Sequence, residues 1–269
     1  MFKAQEILRK VRSGELVVGA HVFFAHYEIT EAFGWMGYDF VWIDGEHSAF
    51  DREKILQNII AANSGGTASF VRVAWNDPIL IKPILEMGPD GIILPMIYTA
   101  EQARQAVAAC TYPPEGIRGF GPRRANRYGT MDTEEYLAQV NQSFLRIMQI
   151  EHYQGVEDLE EIMAVPGVDV IMVGPNDLSA SLGLLGQTRH PKVMKYFDLL
   201  AEKCLKANKP FGVSLCASDE ASIRDWIDRG VNLIGCADDL GLVRTGGQQT
   251  LAFVQELRKN YEAKVKKED

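Results

Sequence analysis

What most limits the fold of this 269-residue chain is one alternation, repeated eight times. Short apolar runs, rich in β-branched residues and nearly free of charge, occupy residues 16–23, 40–43, 69–73, 91–94, 145–150, 170–173, 211–215 and 232–236. Helical patterns follow them at 30–36, 51–63, 79–87, 100–110, 156–165, 191–207, 219–229 and 246–259. Strands that are apolar on both faces belong in a parallel sheet covered by helices. Eight such units predict an α/β fold, the (β/α)8 TIM barrel, in a chain of the usual size for one. A doubly wound sheet would alternate in the same way, but the glycine fingerprint it calls for after the first strand is missing. No linker interrupts the pattern, so one domain over 1–269 is predicted.

Parallel barrels gather their chemistry at the C-terminal ends of their strands. There Gln149-Ile150-Glu151 closes one run, and Gly174-Pro175-Asn176-Asp177 follows the next. Gln149 and Glu151 share a face, because side chains alternate along a strand. Two carboxylates on neighbouring strand ends suit a hard divalent metal ion that keeps further positions open. Taken singly, Glu151 reads equally as an arginine partner and Asp177 as a helix cap; their joint position favours metal. Backbone N–H groups near Asn176 and Asp177 would be free to receive an anion.

Asp44-Gly45-Glu46-His47 crowds three ionisable groups at the end of the second run. A histidine beside carboxylates titrates near working pH, which suits His47 as general acid and base with Asp44 orienting it. The competing reading has Asp44 and Glu46 bonding loop amides while His47 packs. Arg72 lies inside the third run, where a guanidinium that cannot shed its proton needs an anion. It would hold an oxyanion or carboxylate beside the metal, or pair with Glu151 or another carboxylate. None of the eight runs contains a lysine, which leaves a Schiff base without a nucleophile at a strand position. No GxSxG elbow or P-loop occurs. Between residues 110 and 144 runs a long Gly/Pro-rich segment carrying Arg118, Arg123, Arg124 and Arg127. Segments of that length serve as lids or subunit contacts, and its arginines suit either an acidic substrate or a neighbouring subunit.

A net charge of −8 argues against nucleic acid and anionic membrane as partners. Four scattered cysteines with no CxxC pair indicate neither zinc nor a disulfide framework. The first ten residues have charges inside an apolar pattern, as in an amphipathic helix and unlike a secretion signal. No stretch approaches a membrane span, so a cytoplasmic protein is expected. The last residues, 264–269, read as a solvated end.

Taken together, the motifs resemble the HpcH/HpaI aldolase family, metal-dependent pyruvate aldolases related to citrate lyase β-subunits. The resemblance rests on Asp39-Phe40-Val41-Trp42-Ile43-Asp44-Gly45-Glu46-His47, Val71-Arg72-Val73-Ala74-Trp75-Asn76-Asp77-Pro78 and Gly91-Ile92-Ile93-Leu94-Pro95-Met96. Tyr112-Pro113-Pro114-Glu115-Gly116-Ile117-Arg118-Gly119, Gln149-Ile150-Glu151, and Val165-Pro166-Gly167-Val168-Asp169 leading into Gly174-Pro175-Asn176-Asp177-Leu178-Ser179 complete it in family order. It implies Glu151 and Asp177 as ligands of Mg²⁺, Mn²⁺ or Co²⁺, with a 2-oxo acid and waters completing the shell. It further implies that His47, supported by Asp44, moves protons, that Arg72 contacts the keto or enolate oxygen, and that Gln149 lies close to substrate or water. Amides near Asn176 and Asp177 would hold the carboxylate. The implied reaction is cleavage of 4-hydroxy-2-oxo acids to pyruvate, or a related 2-oxo acid, and an aldehyde. Homo-oligomers, often hexamers with an exchanged last helix, are implied as well.

Three stretches depart from the family pattern: Phe23-Phe24-Ala25-His26-Tyr27, the arginine-rich segment, and His152-Tyr153-Gln154. They leave room for oxaloacetate decarboxylation or macrophomate-synthase-like carbon–carbon chemistry through the same enolate. A ligand-binding barrel with a decayed site fits less well, since every position keeps a competent side chain.

Overall fold

The computed structural model describes residues 3–216 and 220–268, with side chains as far as Glu262. Asp219, in the helix predicted at 219–229, and the side chains of the 264–269 tail lie outside the described residues. Eight parallel strands close into a barrel in chain order, β1 beside β8. They are β1 (Val17–Val22), β2 (Phe40–Asp44), β3 (Ala68–Arg72), β4 (Gly91–Leu94), β5 (Leu145–Ile150), β6 (Val170–Val173), β7 (Phe211–Ser214) and β8 (Leu233–Asp238).

Most of the helices wrap the outside. The first six are α1 (Lys3–Arg12), α2 (Tyr27–Trp35), α3 (Arg52–Ser64), α4 (Pro78–Glu86), α5 (Ala100–Cys110) and α6 (Thr133–Gln139). The others are α7 (Tyr153–Glu157), α8 (Leu159–Met163), α9 (Pro175–Ser181), α10 (Pro191–Lys206), α11 (Glu220–Asp228) and α12 (Asp239–Glu268). Local chemistry sets several starts. Asp77 accepts from Ile79 N ahead of Pro78, and Thr99 forms a reciprocal capping box with Gln102.

Alternation along the strands divides the apolar residues into two sets. Val17, Phe40, Trp42, Phe70, Ile147 and Met172 fill the barrel interior, while the opposite faces pack on the helices. The interior set also includes Ala4, Ile7, Leu8 and Val11 of α1. This helix plugs the N-terminal end: Lys3 N donates to Asp90 Oδ1 (3.1 Å) just ahead of β4. One end of the barrel is therefore sealed by apolar packing, which leaves the other for polar groups.

The arginine-rich segment belongs to the sealed end. Arg118 is buried, pairs with Glu86 (3.1 Å) and stacks on Tyr112 (4.4 Å). Arg124 donates to the carbonyls of Met87 and Gly88 and to Asn63 Oδ1. With Lys3, Asp90 and Arg127 it lines a cleft of about 490 Å³ on that face. Arg118 and Arg124 thus brace the barrel floor, at the far end of the strands from Glu151. At the other chain terminus α12 leaves the body, and every described residue from Leu242 to Glu262 is exposed.

Because Ile7 is 2% exposed within the plug, I7A is expected to cost about 2–5 kcal/mol. Urea unfolding followed by circular dichroism measures this as a lowered midpoint, and an unchanged midpoint would show that α1 does not seal the floor.

Candidate active site

Register brings together the first two polar groups. Asp44 and Arg72 are partners across β2 and β3, and both point inward. Arg72 Nε donates to Asp44 Oδ1 (3.1 Å) and Nη2 to Oδ2, a two-pronged pair. Nη1 forms an ion pair with Glu46 (2.9 Å), and the guanidinium carbon lies 5.2 Å from the Trp42 ring. Burial alone would raise the Asp44 carboxyl, but Arg72 and the backbone N–H groups of Glu46 and His47 outweigh it and hold it below the carboxylate range. Burial likewise works against the Arg72 charge, and Asp44 reverses that.

His47 stands above this pair, its ring 61% exposed and Nε2 3.8 Å from Glu46 Oε2. Asp44 meets His47 through the backbone N–H, not through the ring. The acid next to the imidazole is Glu46. Its carboxyl is raised by burial and by its neighbours Asp44 and Asp177, against the pull of Arg72 and His47.

Glu151 follows β5 and is 3% exposed. Its Oε1 accepts from Gln149 Nε2 (2.6 Å) and its Oε2 from Met96 N (3.1 Å). Met96 holds a left-handed backbone, φ 57°, to aim that N–H. On the other side a Cβ on Gly174 would fall 2.4 Å from Oε1, so only glycine lets the β6–α9 turn pass. Burial pushes Glu151 up to about 7, Arg72 pulls it down, and Glu46 and Asp177 add to the rise. Asn176 and Asp177 stand exposed in the first turn of α9, where N–H groups have no carbonyl of the helix to meet. Gln149 Oε1 is buried with no partner among the described residues.

These residues fit a small divalent cation. The donors are oxygen only, acidic groups outnumber Arg72, and Gly174 clears the space beside Glu151. Among the described residues no group of three or more His, Cys, Asp and Glu side chains closes on one point. Two carboxylates with waters is the arrangement Mg²⁺ commonly takes.

A sequence model of the HpcH/HpaI aldolase/citrate lyase family matches residues 19–245, most of the chain. The chain belongs to that family. A 5-keto-4-deoxy-D-glucarate aldolase of Shigella boydii is 38% identical over 221 residues, 82% of this chain and 84% of the relative. An HpcH/HpaI aldolase/citrate lyase family protein from Burkholderia cenocepacia superposes with a TM-score of 0.87 at 30% identity, covering 93% of this chain and 99% of that one. Macrophomate synthase superposes with a TM-score of 0.83 at 25% identity, covering 96% and 90%. Family membership makes the chain a carbon–carbon lyase. No helix among the described residues is long and apolar enough to cross a membrane.

Sequence reasoning singled out Asp44, His47, Arg72, Gln149, Glu151, Asn176 and Asp177, and all lie at this end of the barrel. It did not single out the Glu46 contact with Arg72, the Met96 amide, or Trp42 under the guanidinium. Glu46 was visible within the acidic cluster, whereas a left-handed Met96 leaves no sequence signal.

With chelator present, Glu151 titrates near 7 in the fold against 4.5 ordinarily, so the folded protein binds the extra proton between those values. Its contribution to stability then falls as pH rises through that window. Wild type should lose thermal stability relative to E151Q between about pH 5 and about pH 8. A difference that stays constant with pH contradicts the raised carboxyl.

Proposed function

We propose that the chain is a divalent-metal-dependent aldolase that cleaves 4-hydroxy-2-oxo acids to pyruvate, or a related 2-oxo acid, and an aldehyde. The observation that carries this reading is a locked guanidinium, Arg72, facing a desolvated carboxylate, Glu151. A cation held by Glu151 and Asp177 would supply Lewis acidity at the keto oxygen. Arg72 offers a fixed positive charge to the same oxygen as negative charge develops there, and Asp44 and Trp42 keep it from swinging away. N–H groups at the start of α9 suit the substrate carboxylate.

Proton handling falls to His47 with Glu46. The base takes the proton from the C4 hydroxyl; the C3–C4 bond breaks, its electrons passing into the enolate while C4 becomes the aldehyde carbon. Protonation of C3 then gives the 2-oxo acid. Loss of CO2 from oxaloacetate would reach the same enolate and is the alternative reading of this site.

Assays with Mg²⁺, Mn²⁺ and Co²⁺ on 5-keto-4-deoxy-D-glucarate, simpler 4-hydroxy-2-oxo acids and oxaloacetate test the reading. Cleavage should vanish with EDTA and return with metal, and R72K should lose roughly 10²–10³ in kcat. Turnover of oxaloacetate alone would replace the aldolase with the decarboxylase.

We also propose a homo-oligomer in which α12 packs on a neighbouring copy. Phe253, Val254, Leu257 and Tyr261 form an exposed apolar stripe on α12, and Val18 of β1 and Cys236 of β8 are only partly buried on the outside of the barrel. Light scattering should give a mass that is a multiple of 30.0 kDa, and F253D/L257D should reduce it. A wild-type monomer rejects this assembly.

A further inference from the structure

Across the barrel from Glu151 lies a polar group that the proposed chemistry leaves unused. His21 points inward from β1, which is diametrically opposite β5 in a ring of eight strands, and is 1% exposed. Its Nδ1 lies 3.1 Å from the Ala237 carbonyl and its Nε2 2.9 Å from Ser214 Oγ, at the end of β7. A carbonyl only accepts, so Nδ1 carries the proton. Burial lowers the ring's pKa to about 4 and keeps it neutral, so Nε2 accepts the hydroxyl hydrogen of Ser214.

Two backbone features are shaped around this ring. A Cβ on Gly235 would lie 2.5 Å from His21 Cε1, so β8 admits the imidazole only through a glycine. The β1–β8 register also slips between Gly19 and Ala20, whose partners are Gly235 and Ala237; the bulge turns the Ala237 carbonyl towards His21. Trp42 packs on the ring at 4.9 Å and on Arg72, which puts His21 in the same chamber as the guanidinium.

Ser214 is only half-buried and links this hidden ring to the open end of the barrel. With its hydrogen committed to His21, its oxygen can only accept: the neighbouring Cys216 thiol can donate to one lone pair, which leaves the other for a ligand. If Ser214 turned its hydrogen towards a ligand, Nε2 would be left buried and unbonded, a costly exchange. A ligand group that meets Ser214 must therefore donate: a hydroxyl suits it, a carboxylate does not.

We propose that His21 and Ser214 form an acceptor-only subsite that selects the aldehyde half of the substrate for a free hydroxyl group. The inference rests on the reading that the 2-oxo acid sits at Glu151 and Asp177, leaving the β7–β8–β1 wall to the other fragment.

The test runs the aldol addition of pyruvate to glycolaldehyde and to propanal, nearly equal in size and differing in the hydroxyl. Wild type should favour glycolaldehyde in kcat/KM by roughly ten- to hundredfold. S214A should remove most of that preference and S214T restore it. H21F frees the serine hydrogen, so its glyoxylate-to-glycolaldehyde ratio should rise above that of wild type. A wild type indifferent to the hydroxyl, or S214A with full preference, overturns the subsite. Exchange of pyruvate methyl protons with D2O by wild type separates the two readings. Without exchange the proposed enolate chemistry fails, whereas exchange with an unchanged preference in S214A rejects the subsite alone.

Discussion

A guanidinium cannot be neutralised by giving up its proton, so Arg72, inward-facing at the end of β3, needs a carboxylate that cannot move away. Asp44 is that carboxylate, bonded at both oxygens and tied by two backbone amides to the loop it begins. Breaking a buried pair of this kind leaves an uncompensated charge, which is far costlier than the pair is worth. The arrangement therefore serves position more than stability. It fixes a positive charge over Trp42, sets Glu46 beside it, and through Glu46 reaches His47. Glu151 is tuned by the same charge: without Arg72 its burial and acidic neighbours would push it higher still.

The barrel was legible because its strands are apolar on both faces, and such runs have few other places to go. All eight observed strands fall on or within a residue or two of the runs read from the sequence. Helix boundaries were less legible. α2 begins at Tyr27, ahead of the predicted 30–36, and the helix predicted at 156–165 divides into α7 and α8 at Asp158. α6 was missed inside the long segment although Asp132 caps it in the usual way, and α12 runs straight through Gly246 and Gly247.

Within the site, residue types were readable and pairings were not. Asp44 reads naturally as a partner for His47, three positions along. Only the β2–β3 register reveals that Arg72 is nearer. His21 carries no local signal at all, because Ser214, Gly235 and Ala237, which define its role, come from the far end of the chain. The arginine-rich segment, whose charges suit either a ligand or a neighbouring subunit, shows the same limit: its fold places Arg118 on Glu86 and Arg124 on carbonyls beneath the barrel.

The ring is sealed by partners from opposite ends of the chain, Val17 with Leu233 and His21 with Asp238. Contacts so distant in sequence form late, since a long loop must close before they return any energy. Arg72, Asp44 and Glu151 have their partners within the first two-thirds of the barrel; His21 waits for the final strand. A growing polypeptide would thus assemble its charged wall well before the wall that faces it, and a chain halted short of Ala237 would hold the first without the second.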